Sequence, residues 1–103
     1  MLETYRLTRN FPPHERFGLT CQLRRSSASI AANLAEGCGR SSDADFARFV
    51  QNAMGSASET DYHFLLARDL TFLQVTDYDG VFPKVVDVKR MLVGFLQALQ
   101  GVR

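Results

Sequence analysis

No apolar run in this 103-residue chain approaches the roughly 18–20 residues that a membrane span needs. The opening stretch, MLETYRLTRN, alternates charged and apolar side chains and lacks the apolar centre of a signal peptide. These two absences predict a cytoplasmic protein with no membrane partner. Cysteine is scarce, with only Cys21 and Cys38. On one helix they would lie about 25 Å apart, well beyond the roughly 4.4–6.8 Å between Cα atoms that a disulfide needs. Two isolated thiols also make no zinc site. Histidine is equally scarce, with only His14 and His63, and neither follows a glutamate at the Glu-x-x-His spacing of a di-iron bundle. Excess charge is missing as well. A net charge of +1 gives no global field that would draw the protomer to nucleic acid or membrane. No tandem repeat or low-complexity segment interrupts the chain, and no proline falls between Pro13 and Pro83.

What is present is helix. The hydrophobic content of 46% suits one folded domain spanning residues 1–103. Leu2, Tyr5 and Arg9 are spaced as on a short helix that Phe11-Pro12-Pro13 ends, because a residue before proline is pushed out of the α region. Pro13 with His14-Glu15 is expected to open a second helix running to about Glu36. Leu19, Leu23, Ser27, Ile30 and Leu34 form its apolar stripe. Ala28, Ala31 and Ala35 form a small-residue flank for close approach of a neighbour, and Arg25, Ser29, Ala32 and Glu36 lie on the far side. Gly37 and Gly39 are expected to end that helix in left-handed conformations. A third helix starts at Ser42, which has capping-box spacing to Asp45, and is expected to reach Leu73. Its core stripe is Phe46, Phe49, Val50, Ala53, Ala57, Thr60, Phe64 and Ala67. Thr76 or Asp77 is the expected cap of a fourth helix. Its seam of Tyr78, Val81, Val85, Val88, Leu92, Phe95, Leu99 and Val102 steps by three and four. Pro83 should kink that helix or delay its start to about Val81. Short connections make sequential helices antiparallel neighbours, so the expected fold is all-α: an antiparallel up-down four-helix bundle with a short first helix.

Few residues offer chemistry. Glu36 sits at the unfavourable end of a helix dipole and calls for a local partner such as Arg40. Gly37 to Ser42 leads into a helix N-terminus, a natural anion site, but lacks the Gly-Lys-Ser/Thr of a Walker loop. Glu59 and His63 share a face without enough partners for a metal. Ten of the twelve basic residues are arginine, the residue suited to bidentate phosphate contact. Arg24, Arg25, Arg40 and Arg48 are expected around one end of the second and third helices, as candidates for contact with RNA or DNA. Lys84, Lys89 and Arg90 form a second group. Tyr62, Leu66, Leu70 and Leu73 make an apolar stripe opposite the core stripe of the third helix; unless a bend in the helix buries it within the protomer, a contiguous exposed stripe of this kind marks a subunit contact. No catalytic, cofactor or metal site is legible.

The run Ser29-Ile30-Ala31-Ala32-Asn33-Leu34-Ala35-Glu36-Gly37 resembles a bacterial four-helix-bundle family. Its members are proteins encoded within intervening sequences of large-subunit ribosomal RNA genes. The accessory variability protein of diversity-generating retroelements is similar. The likeness continues through Gly39-Arg40-Ser41, Phe46, Arg48-Phe49, Gly55-Ser56-Ala57 and Glu59. Upstream it includes Phe11-Pro12, Glu15, Gly18-Leu19 and Leu23-Arg24-Arg25. The resemblance implies an antiparallel bundle assembled into a five-subunit barrel. For the retroelement relatives it implies binding of nucleic acid and of a reverse transcriptase through a basic surface; for most members it implies no established activity. Two features depart from the pattern: the first helix is shorter, so that one wall of the protomer is incomplete or the true start lies upstream, and the charge is near neutral.

The expectation is therefore a non-enzymatic homo-oligomer, a pentamer by the resemblance, whose arginines offer a surface to nucleic acid. The competing reading is a small bundle enzyme with a metal or carboxylate site. It needs two or more acids facing the bundle interior, and the core stripes are almost wholly apolar.

Overall fold

The computed structural model describes residues 2–101, so Val102 of the expected seam lies outside the described residues. Four helices make up the bundle: α1 (Leu2–Thr8), α2 (Leu19–Cys38), α3 (Asp43–Asp69) and α4 (Val75–Leu99). No strand occurs among the described residues. The short first helix is as expected. Pro13–Glu15 does not open α2 but forms a separate 3-10 turn. Pro12 and Pro13 set the turn, and Glu15 reaches forward so that its Oε1 accepts a hydrogen bond from the Leu19 backbone N–H at 3.0 Å. That carboxylate satisfies an orphan donor at the positive end of α2, which is why the helix starts after Gly18.

α2 continues two residues past Glu36, and its ending corrects the left-handed reading of both glycines. Gly37 lies inside the helix and is buried. Gly39 has φ −84°, in the right-handed region. Gly37 is needed for space. A Cβ there would meet Phe46 Cδ1 at 2.8 Å and Phe49 Cβ at 3.0 Å. Ser42 caps α3 as expected, its side chain accepting from the Asp45 N–H at 3.1 Å. The reciprocal half of the box is replaced, with Asp45 Oδ1 lying 3.7 Å from Arg48 Nε.

α3 stops four residues before Leu73. Thr71 adopts φ 65°; the Phe72 N–H bonds the Ala67 carbonyl at 2.9 Å and the Thr71 N–H bonds the Arg68 carbonyl at 3.0 Å. This is a Schellman ending with threonine in the place glycine usually takes. α4 starts at Val75 after Gln74, so Pro83 does not delay it and sits within the helix.

The small-residue approach between α2 and α3 is not through Ala28, Ala31 and Ala35; Ala31 and Ala35 are exposed. It runs through Ser26, Ser29 and Gly37. Thr60 Oγ1 donates to Ser26 Oγ at 2.9 Å, and Ser56 Oγ donates to Ser29 Oγ at 2.9 Å. Ser29, expected on the far side, therefore faces α3. These short side chains bring the helices close while each hydroxyl keeps a partner.

The core divides into two clusters. At the end that carries α1, Leu7, Phe11, Leu19, Leu23, Phe64, Ala67, Leu73, Tyr78, Val81 and Val85 are all buried. At the other end the buried cluster is Val50, Ala53, Ala57 and Leu92, while Ile30, Leu34, Phe46, Met54, Val88, Leu96 and Leu99 are partly open. The cause is length. At about 1.5 Å per residue α1 covers roughly 10 Å, whereas α3 covers roughly 40 Å. The bundle has four walls at one end and three at the other.

Candidate nucleic-acid and assembly surfaces

Where α1 begins, the cleft between α2 and α4 is left open. It has a volume of about 290 Å³ and is lined by Ile30, Ala31 and Leu34 from α2 and by Val85, Val88 and Met91 from α4. Ser27 also lines it, 5% exposed, and its Oγ has no hydrogen-bond partner among the described residues. Glu3 and Lys84 stand at its rim, 3.7 Å apart. The Arg6 guanidinium, hydrogen-bonded to Glu3, holds that carboxyl below its usual range. The sequence stripe pointed to another face. Of its four residues, Tyr62 and Leu70 are exposed, Leu66 is half-buried against the first core cluster, and Leu73 is 4% exposed. Leu73 is thus a core residue with no surface to offer a neighbour. It is buried because α3 ends early and the chain turns it inward.

The four candidate arginines do not gather at one end. Arg24 and Arg25 lie near the start of α2, and Arg40 and Arg48 at the turn beyond its finish, about 20 Å away along the helix axis. At the turn, the guanidinium carbons of Arg40 and Arg48 lie 4.8 and 4.5 Å from the Phe49 ring centroid. Arg40 also pairs with Glu36, the local partner that the sequence called for. This end is internally neutralised, since both arginines have a carboxylate.

The other end is different. Arg24 lies 4.6 Å over the Tyr5 ring, and its Nε donates to Thr8 Oγ1 at 2.9 Å. Arg25 pairs with Glu59 and donates to Gln22 Oε1 at 2.9 Å. Arg16 stands 5.5 Å from the Phe17 ring centroid. Arg6 bonds Glu3 at 2.6 Å. Arg9 is exposed beside them. Sequence reasoning missed Tyr5, Arg6, Arg9, Arg16 and Phe17 as members of a surface, because a corner between elements joins residues that no helical period connects. The available signal was Phe17 itself, an aromatic next to Gly18 and outside both flanking apolar patterns. On α4, Lys89 bonds Asp61 at 2.9 Å and is half-buried, so the second basic group is largely paired.

His63 lies on α3 beside Glu59. Burial pushes its pKa down, Glu59 opposes that shift and Arg25 adds to it. Among the described residues, no group of three or more His, Cys, Asp or Glu side chains is placed to hold a metal ion. No described helix is long and apolar enough to cross a membrane. Cys21 and Cys38 are both free and exposed.

A crystal structure of a protein of unknown function from the S23 ribosomal protein family of Bacteroides thetaiotaomicron superposes with a TM-score of 0.81. It is 24% identical, over 93% of this chain and 87% of that one. At that identity the likeness speaks for the fold. No curated protein sequence matches the chain. The sequence model described as 23S rRNA-intervening sequence protein matches residues 1–94, nearly the whole length. With the four helices and the short α1 in place, the chain belongs to the family of 23S rRNA-intervening sequence proteins.

Proposed function

We propose that the protein is a non-enzymatic, self-assembling bundle, a ring of five subunits in keeping with the family resemblance, whose arginine surface contacts nucleic acid. The observation that carries this reading is the open cleft between α2 and α4. Ile30, Leu34 and Val88 are partly exposed there although they pack against the second core cluster. Each apolar side chain left at such a surface forgoes part of the roughly 1.5–3 kcal/mol that full burial provides. A second copy closing the cleft recovers it. The surface of α3 around Tyr62 and Leu70, both exposed, offers a further apolar contact.

The test is the solution mass. Light scattering at micromolar concentration is expected to give a multiple of the 11.6 kDa protomer, and a clean monomer refutes the proposal. Ala31→Arg sharpens it. Ala31 is exposed and lines the cleft, so the substitution leaves the protomer folded by circular dichroism while obstructing the cleft, and the assembly is expected to dissociate. Retention of RNA or DNA at low salt, fading as salt rises, tests the nucleic-acid half of the reading.

A further inference from the structure

We infer that the corner between α1 and α2 is a binding trough for single-stranded nucleic acid, with arginines on the phosphates and Phe17 stacking on a base. The inference rests on the nucleic-acid reading above and specifies its ligand and its place.

Two adjoining hollows carry the argument. One, of about 380 Å³, is bounded by Tyr5, Arg16, Phe17, Cys21, Arg24 and Arg25. The other, of about 290 Å³, is bounded by Leu2, Tyr5, Arg6, Arg9 and Arg24. Tyr5 and Arg24 line both, so the two shallow hollows adjoin at that stacked pair. Five arginines line them and no carboxylate does. The acids nearby act on two of the five: Glu3 pairs with Arg6, and Glu59 pairs with Arg25. Arg9, Arg16 and Arg24 have no ion-pair partner among the described residues. A protomer of net charge +1 thus concentrates uncompensated cations at one corner.

The aromatic residues choose the ligand. Phe17 is 86% exposed and Tyr5 45%. A phenyl ring is costly to leave in water, and here it stands beside Arg16, Arg24 and Arg25. Arg24 covers Tyr5 at 4.6 Å, and Arg16 lies over one face of Phe17 at 5.5 Å; Phe17, far more exposed, is the ring with a face left for stacking. Alternating guanidinium groups and aromatic rings is the arrangement that holds a nucleic-acid strand without reading its sequence. A base can stack on Phe17 only when its face is free, which a duplex does not offer. The trough therefore discriminates by strandedness.

Fluorescence anisotropy on the full chain tests this with three probes: oligouridine RNA, oligothymidine DNA, and a DNA duplex. Binding of either single strand, with the duplex held about tenfold more weakly, supports the inference. Three arginines acting on a single strand give a slope of log affinity against log salt of about −2, so affinity falls about 20-fold between about 50 and 200 mM salt. Phe17→Ala, at a solvent-exposed position that leaves the fold intact, is expected to weaken single-strand binding about tenfold with the salt slope unchanged. Arg9→Gln with Arg16→Gln, also exposed, is expected to make the slope shallower by about 1.4. Equal affinity for single strands and duplex, or Phe17→Ala without effect, overturns the inference while nucleic-acid contact itself stands. No retention of any probe at about 50 mM salt overturns both.

Discussion

Gly37→Ala isolates the contact that holds the α2–α3 hairpin shut. The added Cβ would lie 2.8 Å from Phe46 Cδ1, 3.2 Å from Phe46 Cε1 and 3.0 Å from Phe49 Cβ. Phe46 is half-buried and its ring can turn aside. Phe49 Cβ is attached directly to the backbone of α3, so the two helices themselves must separate by some tenths of an ångström. Overpacking of this kind costs about 1–3 kcal/mol. Alanine returns about 1 kcal/mol through its better helix propensity, leaving a net loss of about 1 kcal/mol. Gly55→Ala is the matched control. Gly55 lies in α3, is exposed and has no atom within 4 Å of the Cβ position, so only the propensity gain applies there. For a domain of this size about 1 kcal/mol moves Tm by roughly 4–8 °C. Thermal or urea unfolding should therefore show opposite signs for the same chemical change. Both variants must be compared at one protomer concentration, because assembly couples to Tm. The reasoning fails if Gly37→Ala stabilises the protein as much as Gly55→Ala does.

Thr71 holds φ 65°, a conformation costing an L-residue about 1–2 kcal/mol. Thr71→Gly is expected to raise stability by about 1 kcal/mol, read as a higher urea midpoint with unchanged slope; an unchanged or lower midpoint counts against the strain. His63 gives a pH signature. Its folded pKa lies below the ordinary 6.5 because burial disfavours the charged ring. The unfolded chain then takes up the proton first, so stability is complete above about 6.5 and declines as pH falls from there toward the lowered folded value. Urea midpoints measured at pH 8 and pH 5 should fall less in His63→Gln than in the unmodified chain, and equal falls would remove His63 from the account.

Much of the bundle was legible in the residues because helical periodicity is a local property. Val50, Ala53, Ala57, Thr60, Phe64 and Ala67 are buried as their spacing required. In the α4 seam Tyr78, Val81, Val85 and Leu92 are buried. Phe95 departs from it, 43% exposed, because it lies at the three-walled end. Punctuation was less legible. Glycine and proline suggest where helices stop, yet here a threonine takes the left-handed turn, a proline rides within a helix, and Gly37 serves packing instead of termination. Each outcome depends on which atoms of another helix stand nearby.

The order and core faces of the helices follow from the chain alone, since 3.6-residue periodicity acts between neighbours in sequence. The shortness of the first helix was likewise written in Phe11-Pro12-Pro13. Only the tertiary structure decided what that shortness does. It leaves the α2–α4 cleft open. The early end of α3 turns Leu73 inward, and the turn between α1 and α2 gathers Arg9, Arg16, Phe17 and Arg24 at one corner. These are relations between residues far apart in sequence or joined by a turn, and no local pattern encodes the distance between them.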